Sequence, residues 1–288
     1  VGDYLPEESQ NTFADMADKA NGIKKTAVLR ADVDNLGTTF VSGFRRGEDD
    51  RYETLSRTAT LSRQLSMFFK GYINTILKNG EQSMFADAGA RNVLIVYSGG
   101  DDVFLAGAWN EVISAFCDIR KALERFSLGS LTISGGISVY DPSYPINVMA
   151  NETQMLEDLS KKIDNKNAIT LWNEDHSYPW SEFLEKVIAE KMQMIDSYFT
   201  NNKNRGMSFL YHLTELLREN REQIHIARYV YLLSRMEPDE KSPATVKAEY
   251  RQFSEKMYLW SQNSKDRQEL ITAIYLYVYL HRTEEKGE

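Results

Sequence analysis

Two acidic clusters hold the residues of this chain whose types and spacing could do chemistry. The first is Asp32-Val33-Asp34-Asn35, where a short run from Lys25 to Ala31 gives out into a turn. The second is Asp101-Asp102, which follows Ser98-Gly99-Gly100. Carboxylates are the hard oxygen ligands that magnesium takes, usually one or two of them with water and phosphate oxygens completing the shell. A glycine pair lets backbone amides approach a phosphate chain that any Cβ would hinder. Carboxylates from two strands, divalent ions and a glycine turn are the parts needed for attack of a hydroxyl on an α-phosphate. Asp32 and Asp102 are the expected direct ligands. Asp101 is a second ligand or a group just behind them, and the carbonyl of Val33 is a further candidate. Taken singly, each motif reads better as a solvated turn than as a catalytic site; their joint placement at adjacent strand ends brings the two readings level.

That placement depends on the elements around them. Residues 92–97 are β-branched and nearly all apolar, as a central strand requires. After the Ser98-Gly99-Gly100 turn, residues 101–106 read as the returning strand of a hairpin. Apolar residues at helical spacing mark helices over 53–78, 109–126 and 150–163, and strands are expected at 131–140 and 168–172. The order is β-α-β-β-α-β followed by α-β, which contains the ferredoxin-like split βαβ unit. In that unit the first strand and the central hairpin are neighbours, so the two acidic clusters can meet at one end of the sheet. Side chains alternate along a strand, so Asp101 and Asp102 are expected to point differently.

Fourteen of the sixteen glycines precede residue 140, and the chain turns wholly helical from Trp180. Helices are expected at 181–199, 206–219, 222–235, 243–261 and 266–282. The fold class is therefore α+β: a ferredoxin-like palm followed by an all-α bundle. The expected divisions are a lead-in over 1–22, a palm over 23–176 and a helical domain over 177–288.

The stretches Leu29-Arg30-Ala31-Asp32-Val33-Asp34-Asn35-Leu36-Gly37, Tyr97-Ser98-Gly99-Gly100-Asp101-Asp102 and Ser134-Gly135-Gly136-Ile137 resemble a known family. It is the second palm domain of the large subunit of type III (Csm/Cmr-type) CRISPR effector complexes, and the region from 180 resembles that subunit's C-terminal helical domain. The resemblance implies a cyclic oligoadenylate synthase, a nucleotidyltransferase that takes ATP as substrate and Mg2+ (or Mn2+) as cofactor. It implies catalytic roles for Asp32, Asp101 and Asp102, with Val33 joining them around the metal. Asp34, Asn35, Gly37, Ser98, Gly99 and Gly100 match nucleotide-binding positions, and Lys162 and Lys166 match the region where related cyclases place a phosphate-binding lysine. The implied partners are the rest of the large subunit (an HD nuclease domain, a first palm and a zinc module), other effector subunits including the small helical one, and crRNA and target RNA held through the complex. No His-Asp pair and one cysteine, Cys117, are present, so cleavage of single-stranded DNA is not expected of this chain, and alone it is expected to be weak or inactive. The alternatives are a GTP-using diguanylate-cyclase-like enzyme and a catalytically silent palm that docks effector subunits.

Composition sets the outer limits. The 288 residues are 42% apolar and 26% charged, which excludes a largely disordered chain. A net charge of −8 leaves no large phosphate-neutralising surface, so nucleic acid is expected to be held through partners. Four scattered histidines disfavour a histidine-ligated metallohydrolase. No run approaches the roughly 20 apolar residues of a membrane span. A single cysteine excludes an internal disulfide, and a cytoplasmic location is the simplest expectation.

Overall fold

The computed structural model describes residues 2–6, 12–45, 51–82, 84–201, 207–218 and 223–282. Part of the lead-in, most of the mixed-charge loop from Arg45 to Arg51 and the start of the helix expected at 206 lie outside them. The chain divides into two compact units, Val1–Trp180 and Ser181–Glu288.

The first unit is built on a six-stranded sheet of order β2-β3-β1-β4-β5-β6. Its strands are β1 (Thr26–Val33), β2 (Val93–Gly99), β3 (Asp102–Ala108), β4 (Ile133–Tyr140), β5 (Ala168–Leu171) and β6 (Ser177–Pro179). The first four follow the ferredoxin-like order, with β1 antiparallel to both β3 and β4. β5 then adds parallel to β4, and β6 adds antiparallel to β5. Pairing through β6 keeps residues 177–180 in the sheet unit, a few residues beyond the expected boundary.

The helices of this unit are α1 (Phe13–Asp18), α2 (Leu36–Ser42), α3 (Leu55–Met67), α4 (Ile73–Lys78), α5 (Trp109–Ser127) and α6 (Ile146–Ser160). The single helix expected over 53–78 is α3 and α4 joined by a π-helical turn, Phe68–Tyr72. Phe68 and Phe69, within that turn, are both buried. α5 covers one sheet face, burying Val112, Ile113, Phe116, Ile119 and Leu123. Cys117 is buried on the same helix, and burial pushes its thiol up to about 12. It is a core residue without thiolate chemistry.

α6 packs on the other face, and Gly136 is what lets it come close. A Cβ on Gly136 would stand 2.4 Å from Cβ of Leu156 and 2.5 Å from the backbone nitrogen of Glu157. Backbone cannot yield as a flexible side chain can. Gly136→Ala is therefore expected to lift α6 off β4 and cost about 1–3 kcal/mol of stability, read by urea denaturation. An unchanged midpoint would contradict this packing.

The second unit is helical throughout. After α7 (Trp180–Glu182) come a π-helical segment (Phe183–Met192), α8 (Gln193–Asn201), α9 (Ser208–Arg218), α10 (Gln223–Ser234), α11 (Ala244–Ser261) and α12 (Ser264–His281). Phe183, Val187, Ile195, Leu210, Leu213, Phe253, Met257, Leu270 and Ile274 form its core. Within it the fully buried Lys191 ammonium meets Glu269 at 2.5 Å and Asp266 at 2.9 Å. Among the described residues no helix is long and apolar enough to cross a membrane.

Candidate metal and nucleotide site

Strand register places the acids. Asp32, near the end of β1, lies directly opposite Asp102, the first residue of β3. The expected Gly99-Gly100 tip is shifted by one residue: Gly99 pairs with Asp102, and Gly100-Asp101 forms the two-residue turn. Gly100 has φ +73°, the left-handed conformation that a primed hairpin turn requires at its first position. Because Asp101 belongs to the turn, strand alternation does not govern its side chain. Carboxylate oxygens of Asp32, Asp101 and Asp102 accordingly lie within 4.8 Å of one another. The expectation that Asp101 and Asp102 diverge is thus overturned.

Crowding shows in the proton affinities. Burial, then the hydrogen bond and charge of Asp32, push the Asp102 carboxyl up to about 6. Burial, and next the charge of Asp32, raise Asp101 as well. Three carboxylates so close together repel one another, and a divalent cation relieves that repulsion.

Two cations balance the cluster in part. The Lys161 ammonium lies 2.5 Å from Asp32 Oδ2 and 2.7 Å from Glu157 Oε1. Its pKa is raised above the ordinary lysine value: burial works against the charge, and the bonds to Asp32 and Glu157 outweigh it. Arg30, two residues before Asp32 on the same sheet face, lies 3.6 Å from Glu157 and donates to Gln154 at 3.2 Å. A small pocket of about 290 Å³ opens beside the cluster, lined by Arg30, Tyr97, Asp102, Phe104 and Glu157 among others.

The other expected site residues fall in different places. The Asp34 carboxylate is buried and accepts from the Thr132 hydroxyl at 2.7 Å and the Asn167 amide at 3.0 Å, apart from the acid cluster. It ties β1 to the segments flanking β4 and β5. Asp34→Ala is expected to strand both donors and cost about 1–3 kcal/mol, measured by thermal unfolding. Ser98 is also buried, and its hydroxyl donates to the Phe69 carbonyl of the π-turn rather than facing the acids. That bond fixes the hairpin to the helix beneath it.

Asn35 takes a left-handed conformation at the entry to α2, and its carbonyl accepts from the Thr39 amide and hydroxyl. Val33 is buried, and its amide donates to the Asp101 carbonyl at 3.3 Å. Gly37 and Gly100 open onto free space, and Gly99 has only ordinary contacts with Tyr97 and Lys70. Lys162 is exposed and Lys166 half-buried with φ +53°. Their neighbour Lys161 is the lysine that reaches the acids. Lys161 and Glu157 escaped the sequence reading; their i,i+4 spacing was a visible signal, but not which way it faced.

This geometry has close counterparts. Residues 25–170 match the family model for the second palm domain of Cas10/Cmr2. Residues 196–283 match that for the second helical domain of the Cmr2 subunit of the CRISPR RNA silencing complex. The single-strand-specific deoxyribonuclease Cas10/Csm1 (subtype III-A) of Mycobacterium tuberculosis is 42% identical over 288 residues, covering 99% of this chain and 35% of the relative. That of Enterococcus italicus is 45% identical over 274 residues, 95% of this chain and 33% of the relative. The chain thus spans about a third of the length of these curated relatives. In fold it is similar to a Csm1–Csm4 cassette crystallised with cA4 (TM-score 0.70, 23% identity, 96% of this chain and 40% of the other). It is also similar to Csm1 of T. onnurineus (TM-score 0.69, 22% identity, 96% and 42%). With a family model matching half its length over the sheet and acid cluster and a second matching the bundle, the chain belongs to the Cas10/Cmr2 family of CRISPR large subunits.

Proposed function

We propose that this chain is the catalytic palm of a cyclic oligoadenylate synthase, working inside the large subunit of a type III CRISPR effector complex. The observation that carries the reading is the convergence of Asp32, Asp101 and Asp102 at the adjoining ends of β1 and β3. Their oxygens are the donor set that magnesium or manganese takes, and burial together with the neighbouring Asp32 charge raises the Asp101 and Asp102 carboxyls, a cost that a divalent cation would relieve. A bound divalent cation would polarise the α-phosphate of ATP and favour the ionised form of the attacking hydroxyl.

The chain's own residues do the rest. Asp32 and Asp102 would hold the cation, with Asp101 completing the acid face. The open backbone at Gly100 leaves room for phosphates at the hairpin tip, and Lys162 and Lys166, in the segment between α6 and β5, are further candidates for phosphate contact. In the reaction a 3′-oxygen of one ATP bonds to the α-phosphorus of another, the α–β anhydride breaks and pyrophosphate leaves. Adenine specificity is inferred from Csm1–Csm4 cassettes of the same fold, crystallised with cA4 and with AMPPNP. The proposed partners are the remainder of the large subunit, a Csm4-type subunit and, through the complex, guide and target RNA. Deoxyribonuclease activity, which the names of the curated relatives carry, is not proposed for this chain.

The test uses the assembled complex with labelled ATP, Mg2+ and matching target RNA. Cyclic oligoadenylates are expected with the unaltered subunit. No product from a complete, RNA-bound complex sinks the reading, and product from GTP in preference to ATP replaces it with a diguanylate-cyclase-like one.

A further inference from the structure

We propose that Lys161 is a tethered cation that holds the Asp32 carboxylate when the acid cluster is without a divalent ion, and whose release governs how readily the cluster takes one up. The inference rests on the metal-dependent reading above and names the residue that controls loading.

The ammonium is placed by a rigid element. Lys161 caps the C-terminal end of α6, its amide bonded to the Glu157 carbonyl at 3.1 Å. α6 itself is seated against β4 at Gly136. From there Nζ bridges Asp32 and Glu157 at 2.5 and 2.7 Å, with the lysine side chain only 27% exposed. Glu157 is in turn held by Arg30 at 3.6 Å.

Charge decides the consequence. Asp32, Asp101, Asp102 and Glu157 face two cations, Arg30 and Lys161, which leaves an excess of two negative charges when all are ionised. A divalent cation drawn to Asp32 would stand within a few ångström of the ammonium already there, and like charges at that separation repel. That repulsion favours release of one of them from the carboxylate. Lys161 can leave without being stranded, because Glu157 one helical turn earlier still pairs with it. Lys161 therefore competes with the cation for Asp32, although it also steadies that carboxylate in the ion-free protein.

The sign of one measurement separates competition from mere support. Mn2+ is titrated into the full 288-residue chain, with free ion followed by electron paramagnetic resonance, for the unaltered protein and for Lys161→Met and Lys161→Gln. Thermal melts confirm that both variants fold. Both are expected to bind Mn2+ on the order of 10-fold more tightly than the unaltered chain. If Lys161 only props Asp32 in position, affinity falls instead, and a fall or no change in two folded variants overturns the proposal. Failure of the underlying reading looks different: neither the unaltered chain nor the variants then show Mn2+ binding that is lost in Asp32→Asn/Asp102→Asn, and both inferences fall together.

Discussion

Asp101→Asn/Asp102→Asn is expected to reduce cyclic oligoadenylate formation by the assembled complex by about 10³-fold or more, since it removes two of the three convergent carboxylates. The same change is expected to leave the ion-free chain no less stable, and Asp102→Asn alone to stabilise it. Asp102 has its carboxyl pushed up to about 6 from an ordinary 3.8. The folded state therefore holds more protons than the unfolded one between those values, and this group's contribution to stability falls as pH rises through that window. Above it the penalty is fully present. Asp102 remains largely open to solvent, so after screening the gain from Asp102→Asn at neutral pH is on the order of 1 kcal/mol. Melting curves at pH 4 and pH 7, without divalent ion, check this: the variant's advantage should appear only at the higher pH. Added Mg2+ should then raise the melting temperature of the unaltered chain and not of the double variant. An advantage for Asp102→Asn that is equal at both pH values would show that the carboxylate is not under strain.

Asp118→Ala is expected to be the most damaging single change to the fold. Its carboxylate meets the fully buried Arg91 guanidinium at 2.7 and 2.8 Å. It also accepts from the amides of Glu81 and Gln82 at 3.0 and 2.9 Å. Arg91 otherwise donates to the carbonyls of Gln82 and Asp87, with Glu111 farther off at 3.4 Å. Truncating Asp118 leaves a buried cation undercompensated and two amides unpaired, at a cost of about 3–5 kcal/mol. Removing both charges together, as in Arg91→Leu/Asp118→Leu, should recover much of that loss. Urea denaturation of the three variants gives the comparison, and a double variant no better than Asp118→Ala would contradict the argument. The pair matters to the site because it anchors α5 to the segment leading into β2, and β2 carries the hairpin on which Asp101 and Asp102 stand.

Much of this was legible in the residues themselves. Short apolar runs bounded by turns located the four ferredoxin-like strands, and apolar residues at helical spacing located most helices. The expected order of elements is the observed one, with the short α1, α2 and β6 added. Three residues of β6, ending at Pro179, are too few to show a period. The π-turn was invisible because Phe68-Phe69 fits an unbroken helical stripe nearly as well. Arg91, a buried arginine, offered no signal at all, since its partner stands 27 residues away on another element.

The sequence by itself determined which chemistry this protein could host: the acids before and after a glycine turn, and their order. It also determined that the glycine pair would turn the chain between two strands, although the observed tip, Gly100-Asp101, lies one residue beyond the expected one. Only the tertiary structure decided that Asp101 joins Asp32 and Asp102, since a shift of one residue in hairpin register moves it from strand into turn. Only packing decided that Asp34 and Ser98 are turned inward. And only the seating of α6 on Gly136 decided that Lys161, not Lys162, faces the acids. Neighbouring residues on a helix point about 100° apart, and which of them meets a site depends on how the helix is rotated against the sheet. That rotation is set by long-range contacts that no local pattern encodes.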